Sequence, residues 1–243
     1  MKSTITTVFF DLDETLVENR ISIKELFARL YDDYHQQLGV DSKEVFFDTL
    51  RINVSGLWAA MFTLQSSPEE QLTQCFIKSV MATNAFDEAQ AKHLGKTMFE
   101  HFLSLSSNNV TFNDGAVETL LELTNRGIAT GIITNGIEQL QMGKITTLDI
   151  QNKVDYVNVS AQARAHKPLS PVFELALRRA GVAAKNTIQV GDHAHNDVAG
   201  AIRAGMGGVY YNPRGLDINE EFADIEEQAT HHIRDLREVL SLI

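Results

Sequence analysis

The chain has 243 residues, 44% of them apolar and 22% charged, and carries a formal charge of −11. That length buries a full core, either as one domain with a large insertion or as a domain with a smaller companion. The acidic surface, offset by no basic stripe, argues against nucleic acid or an anionic membrane as partner, and no segment reaches the roughly 20 apolar residues of a membrane span.

Residues 5–10 form a short β-rich run that Asp11 and Asp13 stop at once. The run is too short for a signal-peptide core, so the cytoplasm is the expected location. From 17 to 109 the text reads as helix alone. Ser22 and Glu25 make a capping box ahead of Ile23, Leu26, Phe27, Leu30, Tyr31 and Tyr34 at helical spacing. Asp41 and Glu44 open a second helix. Ser67, Pro68 and Glu70 mark the start of a third, with Leu72, Cys75, Phe76 and Val80 on one face. Cys75 is the only cysteine, which excludes an internal disulfide and fits a reducing compartment. Asp87 opens a fourth helix, with Leu94, Met98 and Phe102 in step. This is the pattern of a small helical bundle.

After Val110 the text alternates. Helices are expected over 115–125, 137–148, 170–181 (capped by Ser170, with Pro171 first) and 197–204, and strands over 128–134, 156–159, 187–190 and 208–211. Residues 233–243 repeat Leu and Val at helical spacing and are expected to pack on the sheet. Such alternation predicts an α/β, Rossmann-like fold: a parallel sheet with helices on both faces. One strand cannot stand alone, so the run at 5–10 must join that sheet and the helical stretch becomes an insertion. The expected division is a core of 1–16 and 110–243 and an insertion of 17–109. Spacing agrees. Thr134 lies 123 positions after Asp11, and removing about 90 inserted residues leaves roughly the 30 of one βαβ unit.

The polar residues at the strand ends carry the chemistry, since open α/β sheets bind ligands there. Asp11 and Asp13 leave an apolar strand two positions apart. Close carboxylates repel unless a cation lies between them or one is protonated. The alternative is a pair of solvated acids in a turn. Asp192 and Asp197 follow a second apolar strand, and Asp197 also reads as a helix N-cap. An oxygen-rich set of this kind suits magnesium; His193 and His195 raise a zinc reading that the carboxylates outweigh. Thr134, Asn135 and Gly136 end a third strand with a hydroxyl and free backbone N–H groups, a place for a phosphate oxygen. Lys167 stands just before a helix, where a lone lysine is ordinarily solvated surface.

Taken in order, Asp11-Leu12-Asp13-Glu14-Thr15, Thr134, Lys167 and Gly191-Asp192 through Asp197 resemble the four motifs of the haloacid-dehalogenase-like hydrolases. The insertion resembles the helical cap of that superfamily's subfamily I, and the resemblance spans almost the whole chain. It implies that Asp11 is a nucleophile forming an aspartyl phosphate, and that Asp13 is the general acid and base. It further implies that Thr134, the Asn135 N–H and Lys167 bind the transferring oxygens. Mg2+ would sit on Asp11, the backbone carbonyl of Asp13 and Asp192, with Asp197 in support. Two departures stand out: Arg164-Ala165-His166 where many relatives have glycine before the lysine, and His193 where many have serine or threonine.

The implied activity is a magnesium-dependent phosphomonoesterase acting on a small phosphorylated metabolite. Residues 51–64, with Arg51, Asn53, Trp58 and Phe62, resemble the cap of bacterial pyrimidine nucleotidase-like members. The first expectation is therefore a nucleoside 5'-monophosphate, with a sugar or acid phosphate or FMN as alternatives. Trp58 and Phe62, four apart, also read as bundle core. A phosphomutase is the nearest rival and a non-catalytic binding protein the remotest. Dehalogenation is disfavoured by the presence of Asp13. Monomer and homodimer stay open.

Overall fold

A computed structural model describes residues 4–39, 42–60, 66–83 and 86–243, with the side chains of 58–60 excepted. The chain separates into two compact units, one of residues 1–19 and 110–243 and one of 20–109.

The first unit is built on a six-stranded sheet. Its strands are β1 (Thr7–Phe10), β4 (Ala129–Thr134), β5 (Tyr156–Val159), β6 (Thr187–Gly191), β7 (Gly207–Tyr211) and β8 (His231–Ile233). They lie side by side in the order β5-β4-β1-β6-β7-β8, and each pair is parallel. A parallel sheet is covered on both faces, which is why β1 and β6 are buried along their whole length. Val8 and Phe10 point to one face, with Leu120, Leu123, Ile145, Leu236 and Val239. Phe9 points to the other, with Val172, Phe173, Ala176 and Ala201. β4 and β6 flank β1 on opposite sides, so the chain reverses its winding direction there. The carboxyl ends of these strands form the crevice in which such sheets take ligands.

Two short strands, β2 (Val17–Asn19) and β3 (Val110–Phe112), pair antiparallel and belong to this first unit. Residues 17–19 are thus a strand, where the sequence read as helix. Their partner lies more than ninety residues away, so no local periodicity announces the pairing. At the other end, Ile233 closes β8 instead of opening a helix, and only Leu236–Ser241 winds, as a 3-10 helix. Its Leu236 and Val239 do bury against the sheet, as the apolar spacing predicts.

The second unit consists of α1 (Ile23–Leu38), α2 (Lys43–Ala60), α3 (Pro68–Ala82) and α4 (Glu88–Asn108). Capping boxes start α1 at Ser22/Glu25, α3 at Ser67/Glu70 and α4 at Asp87/Gln90. Asp41, read as the opening of α2, lies outside the described residues. Leu26, Leu30, Phe76, Val80, Met98 and Phe99 fill the core, and the Phe27 and Phe102 rings stack with centroids 4.9 Å apart. Gly95 lets α3 and α4 touch backbone to backbone: a Cβ there would lie 2.6 Å from Ile77 Cα.

The remaining helices of the first unit are α5 (Ala116–Asn125), α6 (Glu138–Thr147), α7 (Ser160–Ala163), α8 (Ser170–Ala180), α9 (Gly200–Arg203) and α10 (Ile218–Glu221). Ser170 is the first residue of α8 and Leu169 its N-cap, one position earlier than the sequence suggests. Ahead of α9 the chain makes a wide π turn over Ala194–Ala199, and His193, not Asp197, supplies its cap by accepting from the Asn196 N–H.

Candidate active site

Asp11 directly follows β1, and its amide N–H donates to the Val190 carbonyl of β6 at 2.8 Å. The carboxylate is therefore held over the crevice between these strands. Beyond it the chain coils tightly. Leu16 and Val17 N–H groups both donate to the Leu12 carbonyl, and Glu14 takes a left-handed φ of 59°. That coil buries Thr15, whose Oγ1 accepts from the Asp192 N–H at 3.1 Å. The threonine of the first motif thus fastens the last one.

Lys167 lies at the centre. It is 4% exposed, and its Nζ donates to Asp11 Oδ1 at 2.7 Å, Asp197 Oδ1 at 2.5 Å and the Ile133 carbonyl at 2.8 Å. A buried ammonium requires such compensation, and here all three N–H donors are used. Burial lowers its pKa, but Asp11 and Asp197 outweigh that and leave it raised. Asn135 aligns the lysine: its side chain accepts from the Lys167 N–H at 2.7 Å and donates to the Lys167 carbonyl at 3.1 Å. Gly136 and His166 meet on Ser160 Oγ, each at 3.0 Å, so the second and third motif loops are joined again.

Asp197 reaches this position because Gly191, the last residue of β6, has no side chain. A Cβ at Gly191 would lie 2.2 Å from Asp197 Cγ. The other Asp197 oxygen accepts from the His193 N–H at 3.2 Å.

Oxygens of Asp11, Asp192 and Asp197 lie within 4.8 Å of one another. Burial and the neighbouring carboxylates disfavour the charge on Asp11 and on Asp192, although Lys167 partly counters this. Asp11 is pushed up to about 8 and Asp192 to about 6, the latter by burial, Asp197 and Glu14 in turn. Three acids beside one ammonium leave an excess of acidic groups around Lys167. An all-oxygen donor set with that excess fits a hard divalent cation. Among the described residues, the group able to hold a metal contains no histidine, and His193 and His195 are exposed.

Asp11, Asp13, Thr134, Asn135, Lys167, Asp192 and Asp197 line one cavity of about 140 Å³ with His193 and Asn196. Every core residue singled out in the sequence is therefore brought to one place. The cavity is smaller than the roughly 300–1,000 Å³ that encloses a whole metabolite, so it suits a phosphoryl-sized group.

Two residues of α6 also belong here, and the sequence reading did not single them out. Gln141 Nε2 donates to Thr134 Oγ1 at 2.7 Å and to Asp13 Oδ2 at 2.9 Å, and Lys144 Nζ donates to Asp13 Oδ1 at 2.6 Å. Their signal was present: polar residues at 141 and 144 share the inward face of α6 with Ile145.

Of the substrate residues expected in the insertion, Arg51 and Asn53 are among the described side chains. Arg51 is exposed, 3.4 Å from Asp48 on its own helix, and lines an apolar cavity of about 680 Å³ with Phe27, Phe47 and Val54. Asn53 donates to the Thr49 carbonyl at 2.7 Å, an intrahelical bond. The Trp58 side chain and Phe62 lie outside the described residues.

Comparison with known proteins places the chain in a family. Residues 8–210 match the family model for haloacid dehalogenase-like hydrolases. The chain is 35% identical over 131 residues to ribulose-1,5-bisphosphate 5-phosphatase of Halopiger xanaduensis, covering 53% of this chain and 55% of that one. It spans about half the length of the first such relatives, but 85% of human N-acylneuraminate-9-phosphatase, at 24% identity over 88% of this chain. Among solved structures, 2-haloacid dehalogenase from Pseudomonas syringae pv. tomato DC3000 superimposes with a TM-score of 0.78, at 25% identity over 98% of both chains. No helix among the described residues is long and apolar enough to cross a membrane. The chain belongs to the haloacid dehalogenase-like hydrolases.

Proposed function

We propose that the protein is a phosphomonoesterase that transfers the phosphoryl group of a small metabolite to Asp11 and then to water. The observation that carries this reading is the buried Lys167 bridging Asp11 and Asp197 in the lining of a phosphoryl-sized cavity.

The chain's own residues account for each step. Asp11 attacks phosphorus in line with the ester oxygen, forming a P–O bond to its carboxylate as the P–O bond to the leaving group breaks. Asp13 gives its proton to the departing oxygen, then takes one from the water that attacks the acyl phosphate. Lys167 offsets the negative charge that otherwise keeps the Asp11 carboxylate and the phosphoryl oxygens apart. Thr134 and the backbone that follows it border the position of those oxygens. A divalent cation on Asp11 and Asp192, magnesium by its donor set, would neutralise the remaining charge and keep Asp11 ionised at neutral pH.

The relatives bear on the substrate class by name, as phosphatases of a sugar bisphosphate and an acylated sugar-acid phosphate. We keep the nucleoside 5'-monophosphate as the first candidate on the resemblance of residues 51–64, with sugar and acid phosphates and FMN beside it. Several solved neighbours are called dehalogenases, the Pseudomonas syringae protein among them. A halide leaves without a proton, so an acid at position 13 would have no task there, and we favour ester hydrolysis.

The test is turnover of p-nitrophenyl phosphate with Mg2+, followed by a metabolite panel. Activity is expected to disappear on chelation and to fall at least ~10³-fold in Asp11→Asn with folding intact. Undiminished hydrolysis in Asp11→Asn would refute the assignment. Release of an isomeric sugar phosphate in place of inorganic phosphate would make the protein a mutase.

A further inference from the structure

We infer that Lys144 and Gln141 of α6 are positioning residues that clamp the Asp13 carboxylate and serve the reaction only through it. The inference rests on the phosphatase reading above and extends it to residues outside the four motifs.

A lysine on the inward face of a helix is costly. Lys144 is 6% exposed, and the four-carbon stem that would let its ammonium reach water runs inward instead. An apolar residue of similar length would fill the space without the desolvation penalty of the charge. The compensation is specific: among the described residues the ammonium makes a single ion pair, with Asp13 at 2.6 Å. Gln141, one turn earlier and 1% exposed, spends both N–H groups of its amide, one on Asp13 Oδ2 and one on Thr134 Oγ1. Spacing i, i+3 puts both side chains on one face. Gly136 makes room, since a Cβ at this φ of +151° would lie 2.8 Å from Gln141 Cγ.

The result is a carboxylate gripped at each oxygen by a different donor. Each oxygen has a second lone-pair direction, and the Asp13 side chain keeps 33% of its surface open while lining the cavity. Two-point fixation removes the rotation that would otherwise spread the carboxylate over several orientations. Held geometry of this kind converts directly into rate. Thr134 shares the same amide, so the group that meets the leaving oxygen and the group beside the phosphoryl oxygens are set by one side chain.

Leaving-group dependence separates this role from a structural one. An alkoxide needs a proton to depart, whereas p-nitrophenolate leaves without one. The quantity to measure is kcat/KM at saturating Mg2+ for two esters: p-nitrophenyl phosphate and the alkyl phosphate that the wild type hydrolyses best. In Lys144→Met, nearly isosteric, the alkyl-to-aryl ratio is expected to fall at least tenfold, and Lys144→Gln, which retains a donor, should fall between. Adding Lys144→Met to Asp13→Asn should leave that ratio where Asp13→Asn alone puts it, because an amide at position 13 has no proton to deliver, however well it is held. Equal losses on both esters, an unchanged ratio, or a further drop in the double variant would overturn the inference. Should Lys144→Met fail to fold, the Lys144→Gln ratio and its cycle with Asp13→Asn decide alone. A wild type inert toward both esters would instead remove the phosphatase reading, and this one with it.

Discussion

Gly191→Ala tests whether the close approach of Asp197 to β6 holds the site together. The added methyl would lie 2.2 Å from Asp197 Cγ, 2.4 Å from its Oδ2 and 2.5 Å from its Cβ, where ordinary contacts begin at 3.4 Å. Side chain or strand must therefore yield by roughly 1.2 Å. Along the Lys167–Asp197 bond, a shift of that size stretches 2.5 Å to about 3.7 Å, beyond hydrogen-bonding reach. Forced overpacking costs ~1–3 kcal/mol, and full rupture of a buried ion pair ~3–5 kcal/mol. Lys167 retains Asp11 and the Ile133 carbonyl, so a partial rupture and a net loss of about 2–4 kcal/mol is expected. For a chain of this size that lowers Tm by roughly 5–15 °C. Losing the Asp197 anchor would free Lys167 to shift by about 1 Å beside Asp11, which under the proposed function should reduce kcat/KM by ~10²-fold. Urea unfolding, a thermal scan and p-nitrophenyl phosphate turnover would read all three. Gly56→Ala is the control, because nothing lies within 4 Å of a Cβ there and the residue sits inside α2. A Gly191→Ala protein within ~0.5 kcal/mol of wild type and fully active would refute the reasoning.

Further outcomes follow from the same geometry. Thr15→Val keeps the shape but leaves the Asp192 N–H without its partner, a loss of ~1–3 kcal/mol; half-maximal activity should then require more Mg2+, and an unchanged metal titration would count against the tie. For pH, Asp11 in the metal-free fold is raised to about 8 by burial and Asp192 to about 6, so the native state binds more protons than the unfolded chain above pH ~4. This contribution to stability is present at low pH and is lost as pH rises toward 8. Under the proposed function magnesium would bind the ionised form, so its stabilising effect should grow over that interval, as thermal scans with and without the metal would reveal. A metal effect that is flat from pH 5 to 8 would contradict the charge assignment.

Much of this protein is written locally. The capping boxes at Ser22 and Ser67, the acid at Asp87 and the apolar spacing of α1, α3 and α4 act within one or two helical turns, so neighbouring residues suffice to predict them. The ends of β1, β4 and β6 were equally legible, because apolar runs that end at or beside Asp11, Thr134 and Asp192 mark where each strand stops. Tertiary structure alone decided what depends on partners far along the chain. β2 exists only because β3 lies beside it, and β8 only because β7 has a free edge. The grip of Lys144 on Asp13 spans 131 residues, and the passage of Asp197 over Gly191 requires a π turn that no spacing rule anticipates. Periodicity reports which face of an element is buried; it does not report what that face meets. For the buried polar residues at 141 and 144, the meeting partner is the whole of their meaning.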